Sequence, residues 1–354
     1  MTGRAPVPDA DVLVVGGGPV GLAAAVEARR AGLDVIVLEP RPAPVDKACG
    51  EGLLPGTLAA VRRLGVDPDG WELRGISYRQ QGRAADHRFA GGPGRGVRRT
   101  VLHAALHAAA LDAGAVVLPR RADAVVQDAG GVTAGGVRAR WLLGCDGLHS
   151  LVRREVGLEG GDDASRRARR GRRRPPRFGL RRHYRVRPWS DLVEVHWGPR
   201  VEAYVTPVSD GLVGVALLGP RGMDVDAELA TLPELAGRLS GAEADGPVRG
   251  AGPLRVRSAA RAAGRVRLVG DASGYVDALT GEGLRVGLAQ ARAAVEHLDD
   301  PAAYERAWAR ATRDYRVLTT GLVAVAGSPL RGRVVPAAAR APRLYGRVVE
   351  RLAR

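Results

Sequence analysis

Short, dense apolar runs alternate with amphipathic stretches along the first part of the chain. Residues 11–15 form a β-branched apolar run, a glycine cluster follows, residues 22–31 have helical spacing, and residues 35–38 are apolar again. This pattern predicts a strand, a tight turn, a helix and a second strand, with both strands buried on two faces. Between Gly75 and Phe89, two polar alternating stretches flank Gln81-Gly82-Arg83 and predict an antiparallel hairpin. Leu102, Leu106 and Leu111 give residues 100–113 a helical face, and the strand-like segments 115–118 and 141–143 return the chain to the first pattern. Three further strands are predicted at 193–197, 202–206 and 212–218, with turns too short for anything but an antiparallel meander. Alternation puts Glu194 and His196 on one face of it and Val193, Val195 and Trp197 on the other. A last parallel-type strand is expected at 266–269, then mostly helix, including one from about 302 to 318. The apolar positions Leu318, Leu322 and Val325 are read as core packing.

Composition narrows the class. A chain of 354 residues with 45% hydrophobic content can bury one or two closely packed domains. The net charge of +16 would ordinarily point to an acidic partner, but nearly all of it is Arg, Lys47 being the only lysine, so the bias reads as compositional. Cys49 and Cys145 are too few and too far apart for a disulfide framework or a zinc cluster, and no metal site is expected. With no secretory pattern at the start and no run of about 18 apolar residues, a cytoplasmic protein without a membrane span is expected, peripheral membrane contact being left open.

The chemistry starts at Gly16, Gly18 and Gly21, a GxGxxG held between strand and helix with Pro19 and Val20 inside it. The first glycine permits the tight turn, the second lets a pyrophosphate approach the backbone, and the third lets helix and strand pack closely. Glu39 ends the next strand about 20 residues on, where the fingerprint calls for a ribose-binding carboxylate, and Arg41 follows it. These features predict dinucleotide binding without choosing between NAD and FAD.

Two later segments, Gly144-Cys145-Asp146-Gly147 running on to Arg153, and Gly270-Asp271-Ala272-Ser273-Gly274, resemble the remaining flavin motifs of the p-hydroxybenzoate-hydroxylase-like flavoproteins. That superfamily includes group A aromatic monooxygenases, flavin-dependent halogenases and geranylgeranyl reductases. The resemblance implies an α/β Rossmann-type FAD-binding domain, an antiparallel β-sheet substrate domain and C-terminal helices. It divides the chain into FAD-binding segments 1–72, 95–165 and 255–300, substrate segments 73–94 and 166–254, and a helical region 301–354. It also implies roles: Asp146 and Gly147 near the pyrophosphate, Asp271 after Gly270 on the ribityl chain, and Gly281 and Gly283 at a helix start facing the isoalloxazine ring. Arg99, Leu102 and Leu106 match the family's Arg-x-x-Leu-x-x-x-Leu helix, whose Arg reaches the phosphates, with Arg98 as the competitor.

Catalytic residues are the least defined. The segment Lys47-Ala48-Cys49-Gly50-Glu51-Gly52-Leu53 resembles the Cys-Gly loop beside the flavin in geranylgeranyl-reductase-like members, although a lone Cys among small residues is more often packing. His196, Tyr204, Glu194 and Thr206 lie on the meander, and His183 and Tyr184 precede it, yet a sheet histidine without a named partner is more often structural. Cys49, His196 and Tyr204 are the weak catalytic candidates. The working expectation is a monooxygenase in which a transiently bound NAD(P)H reduces FAD and oxygen then hydroxylates or epoxidises a small organic substrate, an aromatic, a polyketide or an isoprenoid, with a lipophilic one left open. The alternative is a geranylgeranyl-reductase-like enzyme acting on an isoprenoid double bond, favoured by Cys49-Gly50 and residues 277–283. A distant third reading makes the Arg-rich run 165–174 a nucleic-acid element, but it lacks interleaved stacking aromatics, so no nucleic-acid partner is expected. The halogenase tryptophan motif is not evident. Substrate identity and oligomeric state are not readable from the sequence.

Overall fold

A computed structural model describes residues 8–160 and 175–354; the Arg-rich run 165–174 lies outside the described residues. The expected strand-helix-strand forms as Ala10–Val15, Pro19–Arg30 and Val35–Leu38. Ala10–Val15 is almost wholly buried, as the apolar run from Val12 to Val15 requires when helices cover one face of the sheet and loops and a β-ribbon the other. It pairs in parallel with Val35–Leu38 on one side and Val137–Gly144 on the other. Val116–Leu118 extends the sheet beyond Val35–Leu38, and Val266–Leu268 extends it beyond Val137–Gly144. The strand order therefore reverses at Ala10–Val15, which opens a crevice at the carboxyl ends of the strands. Helices Pro19–Arg30, Arg99–Asp112 and Gly283–Glu296 contribute to the core on one face.

A seven-stranded second sheet carries the expected hairpin, Gly75–Gln80 with Arg83–Arg88, and the expected meander of Leu192–Trp197, Glu202–Ser209 and Leu212–Gly219. Gly75–Gln80 joins Leu192–Trp197 in parallel, the one parallel pairing in this sheet among the described residues. Phe178–Arg185 and Glu243–Ala251 complete it. One face packs against the C-terminal helices through Tyr78, Trp197, Tyr345 and Val349. The other packs beneath the short helices Val225–Ala230 and Pro233–Arg238. The C-terminal helix expected at about 302–318 runs over Pro301–Ala326, and Leu318 and Leu322 pack against the core. It is longer because Ala, Leu and Val keep the helical pattern going until Gly327 and Pro329 stop it.

Candidate functional site

The crevice continues into a cleft of 340 Å³ between the two sheets. Its floor is built by hydrogen bonds that hold neighbouring strand ends together: Gly16 N donates to Leu38 O at 2.9 Å, Cys145 N to Val15 O at 2.8 Å, and Val269 N to Gly144 O at 2.9 Å. Residues near 16, 39, 146 and 270, far apart in sequence, thereby share one rim. All fourteen residues singled out for the dinucleotide line it except Gly21, which lies one layer beneath.

Gly16 has a φ of +104°, and a Cβ there would lie 2.6 Å from the Cys145 carbonyl oxygen. A Cβ on Gly21 would lie 1.9 Å from Gly16 O, so the third glycine permits helix and turn to touch. At Gly18 a Cβ would meet nothing within 4 Å, which leaves bare backbone facing the cleft at the amide end of Pro19–Arg30. Glu39 is buried and accepts from Gly17 N at 3.1 Å, while Arg41 engages both of its oxygens at 2.8 and 2.9 Å. Burial works to raise the Glu39 carboxyl, but the Arg41 guanidinium and the two backbone amides outweigh it and hold the group below its ordinary range.

The structure separates the two competing arginines. Arg98 pairs with Asp245 at 3.0 Å, whereas Arg99 is buried, lines the cleft, and leaves Nη1 without a partner. Burial lowers the Arg99 guanidinium from its usual value. Asp146 gives one carboxylate oxygen to Val152 N at 3.0 Å and leaves the other, Oδ1, unsatisfied in the cleft wall. Unpaired buried charge is costly, so an orphaned donor and an orphaned acceptor on one cleft indicate a ligand carrying both acceptors and donors. The phosphates and hydroxyls of a dinucleotide fit that description.

Across the cleft, Gly270 N donates to Gln290 Oε1 at 2.7 Å, and Ser273 Oγ receives the Trp308 indole at 2.8 Å. These contacts fix the turn that presents Asp271, whose carboxyl is raised by burial against the opposing influence of Lys47. Gly281 and Gly283 lie at the amino end of Gly283–Glu296, both on the cleft wall.

Cys49 and Tyr204 also line the cleft. Burial raises the Cys49 thiol and places the Tyr204 hydroxyl well above its usual range, so both hold their protons; Tyr204 donates to Leu279 O at 2.6 Å. His196 is not brought to this site. It pairs with Glu194 at 2.9 Å on the sheet face opposite the cleft-lining Val193 and Val195. Sequence reasoning missed a buried polar chain behind Cys49. Glu51, at φ +59°, accepts from Arg99 N at 2.8 Å and lies 2.6 Å from His183 Nε2, while His183 Nδ1 lies 3.0 Å from Arg181 Nη1. Arg181 only donates, so Nδ1 accepts and Nε2 carries its proton toward Glu51. Arg181 continues to Asp46, which also accepts from Arg249 at 2.9 Å. His103 was missed too: its Nε2 donates to Gly17 O at 2.9 Å, and its position one turn after Arg99 on the same helix was the available signal. Among the described residues no cluster of three or more His, Cys, Asp or Glu could hold a metal.

Residues 9–169 match the family model described as an FAD binding domain. A menaquinone reductase of Mycolicibacterium smegmatis is 31% identical over 334 residues, covering 84% of this chain and 79% of that protein. The chain belongs to the p-hydroxybenzoate-hydroxylase-like FAD-dependent oxidoreductases. Within this family, digeranylgeranylglycerophospholipid reductase 1 of Methanopyrus kandleri is 32% identical over 315 residues, 81% of this chain and 79% of its own. Monooxygenase relatives of these FAD-dependent oxidoreductases align over 42% of this chain. The solved flavin-dependent brominase Bmp2 shares the oxidoreductase fold at a TM-score of 0.80 and 17% identity, covering 97% of this chain and 93% of its own.

Proposed function

We propose that this FAD-dependent oxidoreductase is a reductase that saturates a carbon-carbon double bond of an isoprenoid lipid, in place of the oxygenase expected from the sequence. The observation that carries the reading is the reach of the likeness: two reductases, of menaquinone and of digeranylgeranylglycerophospholipid, match along four-fifths of the chain, whereas the oxygenases named above match along 42% of it. The cleft supports it, because beyond the flavin region its walls are apolar, formed by Val193, Val195, Ala216, Leu218, Leu254 and Leu279.

In this reading the parallel-sheet segments hold the cofactor and the antiparallel sheet holds the substrate. The bare backbone at Gly18 and the helix amino end at Pro19 and Val20, with the Arg99 guanidinium, would meet the phosphates, while Gly16 and Gly21 shape the turn beneath them; Glu39 and Arg41 would take the adenosine ribose side. Asp146 and Gly147 flank the pyrophosphate, Gly270 and Asp271 the ribityl chain, and Gly281 and Gly283 offer the helix amide end to the ring. Reduced FAD, recharged by transiently bound NAD(P)H, would supply a hydride to one carbon of the double bond. The second carbon needs a proton, and Cys49 and Tyr204 are two of the protonated groups on the cleft wall, which also carries Tyr78 and Tyr275. The apolar walls exclude water from that transfer.

Flavin-loaded protein is reduced anaerobically with NADPH, mixed with a menaquinone, and the product is weighed by mass spectrometry, then again under labelled dioxygen. A product formed without oxygen that remains heavier by two hydrogens after any quinol has been reoxidised to the quinone is expected, placing the added hydrogens on the isoprenoid chain. Product formed only in air and carrying the oxygen label would restore the oxygenase reading.

A further inference from the structure

The C-terminal helix Pro342–Ala353 has two contrasting sides. Tyr345, Val349 and Leu352 are buried, Tyr345 donates to Ile76 O at 3.1 Å, and Leu352 reaches the wall of the cleft. On the outer side Arg343, Arg347 and Arg351 stand at intervals of one helical turn, within about 80° of arc at 100° per residue. Leu344, 61% exposed, flanks the stripe. Just upstream in the chain, Leu330 is 51% exposed, and Arg333 and Arg340, exposed as well, follow it three and ten residues on. Residues 327–354 carry seven arginines against one glutamate, and that Glu350 is paired with His87 at 2.7 Å. Among the described residues Arg333, Arg340, Arg343 and Arg347 have no ion-pair partner, whereas arginines elsewhere on the surface commonly do.

We propose that this helical cap is a docking surface for an anionic lipid bilayer, which the protein meets from outside without inserting a span. Arginine stems bury along apolar surface while their heads stay with phosphates, and exposed leucines beside them enter the headgroup boundary. Leu352 on the inner side of the same helix puts the docked face next to the apolar cleft, a short route for a substrate that resides in lipid. The direction of that route rests on the reductase reading; the docking itself does not. Nucleic acid would use the same charge but gains nothing from Leu330 and Leu344, and the cap has no exposed stacking aromatic among the described residues.

The flavin-loaded full chain is sedimented with phosphatidylcholine vesicles and with mixed phosphatidylcholine and phosphatidylglycerol vesicles. Binding to the mixed vesicles alone, weakened by salt, is expected. R343E/R347E should lower the vesicle-bound partition about tenfold or more, and L344D should lower it at unchanged charge on the arginines, both with flavin content and secondary structure retained. Equal binding to neutral vesicles, no response to either variant, or preferential capture by duplex DNA at matched salt would overturn the proposal. Failure of menaquinone reduction would overturn only the reductase reading, since sedimentation does not depend on turnover.

Discussion

Gly18 and Gly21 are three positions apart, and a methyl group means opposite things at them. Gly21→Ala forces a Cβ to within 1.9 Å of backbone, so the helix must move off the turn. A loss of roughly 1–3 kcal/mol or more is expected in denaturant melts. Gly18→Ala meets open space and should melt like the parent, yet bind FAD more weakly, because the methyl stands where the phosphates approach. Arg99 and Arg98 make a similar pair. Arg99→Met should raise the FAD dissociation constant about tenfold or more, the worth of roughly 1.5–3 kcal/mol for a hydrogen bond to a charged group. Arg98→Ala removes only the partly exposed pair with Asp245 and should leave flavin affinity as it was. His103 gives a pH signature. Burial, reinforced by Arg99, pushes its ring down to about 4 from 6.5, so the unfolded chain binds more protons than the folded one between those values. Stability is then fully present above pH 6.5 and declines as pH falls toward 4. His103→Gln, which keeps a donor for Gly17 O, should flatten the melting temperature against pH over that window.

At the scale of elements, the turn Gly270–Ser273 depends on helices it does not belong to. Gln290 from Gly283–Glu296 receives its first amide, and Trp308 from Pro301–Ala326 donates to Ser273. Trp308→Phe keeps most of the ring's packing and deletes that bond, so a loss of about 1 kcal/mol is expected. The same variant should release flavin faster in stopped-flow dilution, since Asp271 sits on the loosened turn. No change in flavin release would mean that Gln290 alone holds the turn. Two sheets divide the work in the same manner. The parallel one supplies strand ends and helix amide ends, and the antiparallel one supplies apolar side chains from alternate positions, which is why Val193 and Val195 face the cleft while Glu194 and His196 face away.

For the molecule as a whole, the cleft is where segments from nearly every part of the chain converge, so filling it should stabilise the entire fold. FAD at about one hundred times its dissociation constant is expected to add about 2.7 kcal/mol. The melting midpoint should rise with FAD concentration in the parent and much less in Gly18→Ala. Among the described residues no helix is long and apolar enough to cross a membrane.

What the sequence determined by itself was everything encoded locally. Strand-turn-helix order, the three glycines, Glu39 and the meander follow from periodicity and spacing, because each element's backbone geometry is set within a few residues, while the later Gly-Asp motifs were legible through their resemblance to the flavoprotein family. Tertiary structure decided which neighbours meet. Only tertiary structure could pair Arg98 with Asp245, choose which face of the meander lines the cleft, or join Glu51 in a loop to His183 on the antiparallel sheet, since segments more than a hundred residues apart share no periodicity that one chain can display.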